Sequence, residues 1–332
     1  MSQISRAMDY LSLIGTPIRD DLKRFEQLFS SSLSHGDGLL SQALDHIKQR
    51  GGKRMRPILT FLMAKNFGEV SMVTQHAALG LELLHTASLI HDDVVDESSE
   101  RRGQPSLNAS FNNKVSVLVG DYILSTALLH VSFTEQQLII QSLAELGQTL
   151  SSGELLQLNN FSHDGLDENI YYDIIEQKTA SLFSTCAKIG AISAGADEET
   201  VLAATRFGTI VGMIFQVRDD IFDYYDSKEI GKPTGNDMTE GKLTLPALYA
   251  LNATTDKEML EIAKHVKHRS ATEEEILRLV AFSKENGGID YAIQKMNEWH
   301  EEGEAFIEQF VKEKAISTSL HAYLDFISER KF

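Results

Sequence analysis

The chain has 332 residues, with 31 basic against 48 acidic side chains and a net charge of −17. So acidic a molecule is a poor binder of nucleic acid or anionic membrane, and any anionic partner must be held by local cations or metal ions. Its one cysteine, Cys186, excludes an intrachain disulfide and a cysteine-rich zinc centre and suits a reducing, cytoplasmic setting.

From the N-terminus, "MSQISRAMDYLSLIG" lacks the apolar core of a signal peptide, and no later stretch reads as a full membrane span. The first chemistry-bearing segment is "GGKRMRP". Gly52 allows close approach of backbone to an anion, and Lys53 and Arg56 sit three apart on one face of a predicted helix start. Pro57 is tolerated in that first turn.

Helical spacing then runs through "VTQHAALGLELLHTASLIHDDVVDE", with no strand-like alternation. It ends in Asp92, Asp93 and Asp96. Residues four apart share a helix face, so Asp92 and Asp96 project together with Asp93 beside them. Three such carboxylates repel one another, and the helix dipole adds to the repulsion. A hard divalent cation relieves it, and oxygen-only ligands suit Mg²⁺. His85 lies two turns earlier on nearly the same face, and Arg101 and Arg102 follow just beyond, offering forked donors for phosphate oxygens.

"VSVLVGDYILSTALLHVSF" is apolar nearly all round and is predicted to be a central buried helix. Thr134 with Gln137, and Thr272 with Glu275, fit capping boxes. In "YYDIIEQKTASLFS", Lys178 and Thr179 interrupt a helical stretch with polar groups. "TRFGTIVGMIFQVRDDIFDYY" is a second apolar helix ending in acids, and Asp219, Asp220 and Asp223 repeat the DDxxD spacing. Gln216 precedes Asp220 by one turn. One acidic cluster alone is more often a solvated helix end. Two matched clusters suggest opposite walls of one cavity, bridged by metal and diphosphate. The loop "GKPTGNDMTEGKLTLP" carries Lys232, Asp237 and Lys242 but lacks the G-x-x-x-x-G-K-[ST] spacing of a nucleotide loop. After residue 254 the helices are amphipathic and heavily charged, predicting outer helices packed on one face.

In order and spacing, "GGKRMRP", "LLHTASLIHDDVVDESSERRG", "SSGELLQL", "EQKTASLF", "FQVRDDIFD" and "GKLTLP" resemble the trans-isoprenyl diphosphate synthase (polyprenyl synthetase) family. The resemblance implies an all-α, single-domain bundle over residues 1–332 around a deep central cavity, usually a homodimer. It implies elongation of an allylic diphosphate by isopentenyl diphosphate, with three Mg²⁺ ions. By motif, Asp92, Asp96, Asp219 and Asp223 would bind metal, with Asp93 and Asp220 in support. Gly52, Lys53, Arg56, His85 and Arg102 would hold isopentenyl diphosphate. Arg101, Lys178, Thr179, Gln216, Lys232 and Lys242 would hold the allylic diphosphate.

Family members often floor the cavity with the residues five and four positions before the first aspartate. Here these are Ala87 and Ser88, both small, which implies a long-chain product such as a quinone side-chain precursor. The alternatives are a C15 or C20 synthase and a non-catalytic partner subunit. A terpene cyclase fits less well, because its second metal motif is not normally a DDxxD.

Overall fold

The computed structural model describes residues 10–49, 52–101, 103–161, 165–225 and 234–329. Helices α1 (Arg19–Ser32), α2 (Leu39–Lys48) and α3 (Met55–Phe67) lead into α4 (Met72–Val95). A reciprocal Ser71–Thr74 capping box starts α4, satisfying donors that the first turn leaves open. A two-residue antiparallel ladder, Glu100–Arg101 with Gln104–Pro105, is the sole strand pair among the described residues. Then come α5 (Asn113–Ser132), α6 (Gln137–Asn160) and α7 (Glu168–Ile175). A π-helical stretch, Glu176–Ala180, joins α7 to α8 (Ser181–Ser193), and α9 (Glu198–Phe222) follows. The C-terminal part holds α10 (Leu245–Asn252), α11 (Lys257–Lys267), α12 (Glu273–Glu285), α13 (Gly288–Phe310) and α14 (Lys314–Glu329). The fold is all-α, as the helical spacing predicts.

α4, α8 and α9 form the middle of the bundle. α4 packs on α5, α8 on both α3 and α9, and α9 on α13. Phe61 of α3, Phe183 of α8 and Phe207 of α9 are wholly buried, and Phe207 stacks on Phe306 at 4.7 Å. Each such ring removed from water contributes about 1.5–3 kcal/mol. The amphipathic outer helices also follow the predicted pattern. α12 starts with the Thr272–Glu275 box, and Asp197 caps α9 by accepting from the Thr200 amide at 2.8 Å.

Two expectations need correction. The Thr134–Gln137 box does not form. Thr134 is buried, its hydroxyl donates back to Val131 O at 2.7 Å, and α6 starts without a side-chain cap. α5 is not central either: Leu118, Leu128 and Leu129 are 59%, 53% and 54% exposed, because the helix lies at the bundle's edge. By length and composition, α5 and α9 are also apolar enough to cross a membrane. In the bundle, 33% of that window in α5 and 50% in α9 is buried.

Candidate active site

Both acidic clusters sit at helix C-termini, where the dipole disfavours negative charge. Asp92 and Asp93 occupy the last turn of α4 and Asp96 is its C-cap. Asp219 and Asp220 lie in the last turn of α9, with Asp223 as its C-cap. No feature of helix formation asks for acids there, so their cause lies in what surrounds them.

On the α4 side, a cavity is lined by Gly52, Lys53, Arg56, His85, Asp93 and Arg101, with Phe326 and Ile327 arriving from α14. Lys53 Nζ lies 5.1 Å over the Phe326 ring, and Arg56 lies 5.1 Å over Phe183. Cations held against aromatic faces keep their charge turned into the space beside them. Arg54, at the left-handed residue that opens α3 (φ 52°), is occupied differently. It donates to Glu26 and Glu82, each at 2.9 Å.

On the α9 side, Lys178, Thr179, Gln216, Asp220, Asp237 and Lys242 line a second cavity. A chain of hydrogen bonds fixes its floor. Thr179 Oγ1 donates to Gln216 Oε1 at 2.7 Å, Gln216 Nε2 donates to Asp220 Oδ1 at 2.7 Å, and Tyr171 OH donates to Asp220 Oδ2 at 2.6 Å. Lys178 is paired with Glu154 of α6.

Charges tie the two sides together. Burial pushes the Asp92 carboxyl up to about 6, assisted by Glu154 and opposed by Lys178 and Arg101. Asp92 therefore feels a cation from each cavity. Burial also pushes Asp220 up to about 7, with Asp219 adding to the effect and the Tyr171 and Gln216 donors opposing it. Asp237 is raised by burial and by Asp220 and Asp223. For Lys242, burial works downward but is outweighed by Glu240, Asp237 and Asp96, so its pKa rises. Lys242 thus draws on acids from both sides, Asp96 at the end of α4 and Asp237 on the loop held by Asp223.

Most of the predicted residues are thus brought to one region, with differences in detail. Arg101 lines the cavity of Lys53 and His85, not that of Lys178, and its Nε donates to Asp93 Oδ1 at 2.6 Å. The Asp223 carboxylate accepts from the Asn236 and Asp237 amides at 2.9 and 3.1 Å, closing the loop onto α9. Gln216 Oε1 is engaged by Thr179, so in this structure it does not point freely into the hollow. Arg102 and Lys232 lie outside the described residues.

Several residues escape sequence reasoning. Tyr171, Glu154 and Phe326 occupy ordinary helical positions, and only the tertiary packing gives them a partner in the site. The weak signal for Asp237 is its place between Gly235 and Gly241 in a loop with two lysines.

Ala87 is wholly buried, and Ser88 is half-buried with its hydroxyl donating to His85 O at 2.9 Å. At about 100° per residue, Ala87 falls within about 40° of Gly80 and His91 around α4. Those two positions face α5: a Cβ at Gly80 would lie 2.2 Å from Val131, and one at Gly120 would lie 2.3 Å from His91. Ala87 therefore looks toward α5, whereas Ser88 lies about 40° from Asp92, on the side of the acids.

The carboxylates suit a metal. Their donors are all oxygen, two of them are pushed toward neutrality, and buried Asp93 Oδ2 finds no hydrogen-bond partner among the described residues. An all-α bundle with two acid clusters over a cation-lined hollow defines a class of enzyme that handles diphosphates. The comparisons with known proteins agree. The chain matches the Polyprenyl synthetase family over residues 37–282. It is 34% identical to the all-trans-nonaprenyl-diphosphate synthase (geranyl-diphosphate specific) of Rhodobacter capsulatus, covering 88% of this chain and 90% of that one. Its structure is similar to that of a geranylgeranyl pyrophosphate synthase from Bacteroides thetaiotaomicron, with a TM-score of 0.86, 47% identity, and coverage of 97% and 100% of the two chains. It is also similar to a polyprenyl synthase from Caulobacter crescentus complexed with calcium and isoprenyl diphosphate, with a TM-score of 0.89, 29% identity, and coverage of 97% and 98%. The chain belongs to the polyprenyl synthetase family. As such it is a trans-prenyltransferase, condensing isopentenyl diphosphate with an allylic diphosphate.

Proposed function

We propose that this enzyme builds a long all-trans polyprenyl diphosphate, acting as a single-domain, cytoplasmic homodimer with three Mg²⁺ ions per site. Asp92, Asp96, Asp219 and Asp223 hold the metal, and Asp93 and Asp220 position those ligands. Gly52, Lys53, Arg56, His85 and Arg102 take isopentenyl diphosphate. Lys178, Thr179, Gln216, Lys232 and Lys242 take the allylic diphosphate, and Arg101 reaches it from the neighbouring cavity, beside Asp93. The observation that carries this reading is the pair of cation-lined hollows at the ends of α4 and α9: Lys53, Arg56, His85 and Arg101 beside Asp93, and Lys178 and Lys242 beside Asp220.

Bound magnesium would neutralise the diphosphate and make it a better leaving group. The chain's own groups do the rest. Lys178 and Lys242 orient the allylic diphosphate so that its C–O bond points into the hollow. Thr179 and Gln216 are joined to each other, and Gln216 to Asp220; turning the Thr179 hydroxyl away would free the Gln216 oxygen for positive charge that develops on the allylic carbon. Phe183, Phe215 and Phe326 keep water from the isopentenyl side. The isopentenyl double bond then attacks the allylic carbon. The departing diphosphate takes the proton released, since it leaves beside the new carbon centre as an oxyanion able to accept it.

Ser88 supports the long product, because it is small and lies on the side of Asp92; Ala87, which faces α5, does not bear on it. A C20 product is the second reading, favoured by the Bacteroides enzyme's name and 47% identity. Purified protein with an allylic primer, isopentenyl diphosphate and Mg²⁺ should yield products longer than C20 on chromatography after dephosphorylation. Chelation should abolish turnover and Mg²⁺ restore it. Full activity after exhaustive chelation would sink the metal reading, and a product ending at C20 would select the second. Ser88→Phe should shorten the product, whereas Ala87→Phe, facing α5, should disturb helix packing instead. Unchanged length in Ser88→Phe would mean that this small residue serves helix packing alone.

A further inference from the structure

Away from the acid-walled hollow, α13 and α14 run antiparallel and carry matching pairs one turn apart: His300 and Glu304 on α13, His321 and Asp325 on α14. Residues four apart share a helix face, so each helix presents one imidazole and one carboxylate to the other. The pairs interlock crosswise. His300 Nε2 lies 3.2 Å from Asp325 Oδ1, and His321 Nδ1 lies 2.9 Å from Glu304 Oε1. One ligand atom from each of His300, Glu304 and Asp325 lies within 4.8 Å of the other two. All four side chains are partly buried, with exposures between 26% and 39%.

The one-turn spacing brings Glu304 near His300 and the packing of α14 adds Asp325, so both carboxylates converge on one imidazole. A divalent ion among them would neutralise the two acids, its bonds taking the place of the His300–Asp325 hydrogen bond and leaving the His321–Glu304 pair intact. Four-coordinate zinc has bonds of about 2.0–2.2 Å, which spaces its donor atoms about 3.3–3.6 Å apart. The group must contract by about an ångström to reach that spacing, a change within reach of part-exposed side chains that turn about χ. Imidazole selects Zn²⁺ over Mg²⁺, which distinguishes this cluster from the oxygen-only pair at the ends of α4 and α9. His321, bonded to Glu304, orients that carboxylate as the outer partner of a metal ligand does.

We propose that His300, Glu304 and Asp325 form a Zn²⁺ site, supported by His321, that clamps α14 onto α13. The clamp has a direct consequence for the cavity of Lys53. α14 supplies Phe326 and Ile327 to its wall, and Tyr323 OH donates to Met55 O at 2.8 Å. The ion would thus hold a wall that two neighbouring residues of the same helix already build.

The test uses the full chain, stripped of metal and supplied with excess Mg²⁺ to fill oxygen sites, then titrated with Co²⁺. The site predicts one equivalent with the intense visible absorption of low-coordinate, imidazole-bound cobalt, displaced by Zn²⁺. Six-coordinate oxygen sites give only faint bands. His300→Ala and the isosteric Asp325→Asn should each lose that spectrum and bind Zn²⁺ at least tenfold more weakly, while circular dichroism reports a folded bundle. Zn²⁺ should raise the wild-type Tm by about 3 °C and leave both variants unmoved. Faint bands in the wild type, or the same spectrum in wild type and variants, would reduce the quartet to interhelical ion pairs and overturn the proposal.

Discussion

Asp220 is buried among neutral donors, with Tyr171 OH at 2.6 Å and Gln216 Nε2 at 2.7 Å, and burial pushes its carboxyl from 3.8 to about 7. The folded chain therefore holds a proton that the unfolded chain has already lost. Between pH 3.8 and about 7 the native state binds more protons, so this residue makes stability fall as pH rises, with the loss complete above about 7. In metal-free protein the Tm gap between Asp220→Asn and wild type should shift in the variant's favour from pH 5 to pH 8. The altered hydrogen bond adds only a constant offset. Saturating Mg²⁺ should flatten the wild-type slope, because a cation beside the carboxylate replaces the proton. Thermal melts in chelator at four pH values check this, and parallel curves would refute it. The acid itself was legible in DDxxD spacing. Tyr171 was not, since its link to Asp220 crosses 49 residues and depends on how α7 meets α9.

The helices α7 and α8 are joined by the π-helical stretch that carries Lys178 and Thr179, and two glycines let neighbours close onto it. A Cβ at Gly212 of α9 would lie 2.4 Å from Ala180 Cα, and one at Gly153 of α6 would lie 2.9 Å from Lys178 Cγ. The first contact is backbone, which has little room to yield. Gly212→Ala should therefore cost about 1–3 kcal/mol by overpacking, even though alanine favours the helix. It should also slow turnover by displacing Thr179 from Gln216. Gly147→Ala is the control. There the Cβ meets only Leu84 at 3.9 Å, so the helical preference of about 1 kcal/mol should leave that variant as stable as wild type or more so. Urea unfolding separates the two cases. Sequence periodicity found these helices but not the π-helical stretch, because a local widening barely alters the apolar pattern. The capping boxes divide similarly. Thr272 meets a reciprocating Glu275, whereas Thr134 is drawn into the end of the preceding helix.

Across the whole molecule, the largest departure from the sequence reading explains itself as a surface. α5 is apolar all round because two different environments ask for it. One face packs on α4, where Ile123, Ala127 and Val131 are buried. The other leaves Leu118, Leu128, Leu129 and Phe133 exposed, and α6 adds Leu138, Leu155 and Leu158, between 43% and 68% exposed. Hydropathy alone cannot tell a buried helix from one whose second face awaits a partner. Large apolar side chains left exposed on one helix in this way mark an association site, and a second copy of this chain fits the homodimer proposed above. In a two-fold dimer each substitution occurs on both subunits, so Leu128→Arg with Leu129→Arg would put four buried cations into one interface, each without a partner. Sedimentation should give two chains for the wild type at micromolar concentration and one for the double variant. Because the acid-walled hollow lies on the opposite side of α4 from this face, the separated chain should keep its diphosphate-binding residues in place. A wild-type monomer would mean that these leucines meet something other than a second copy.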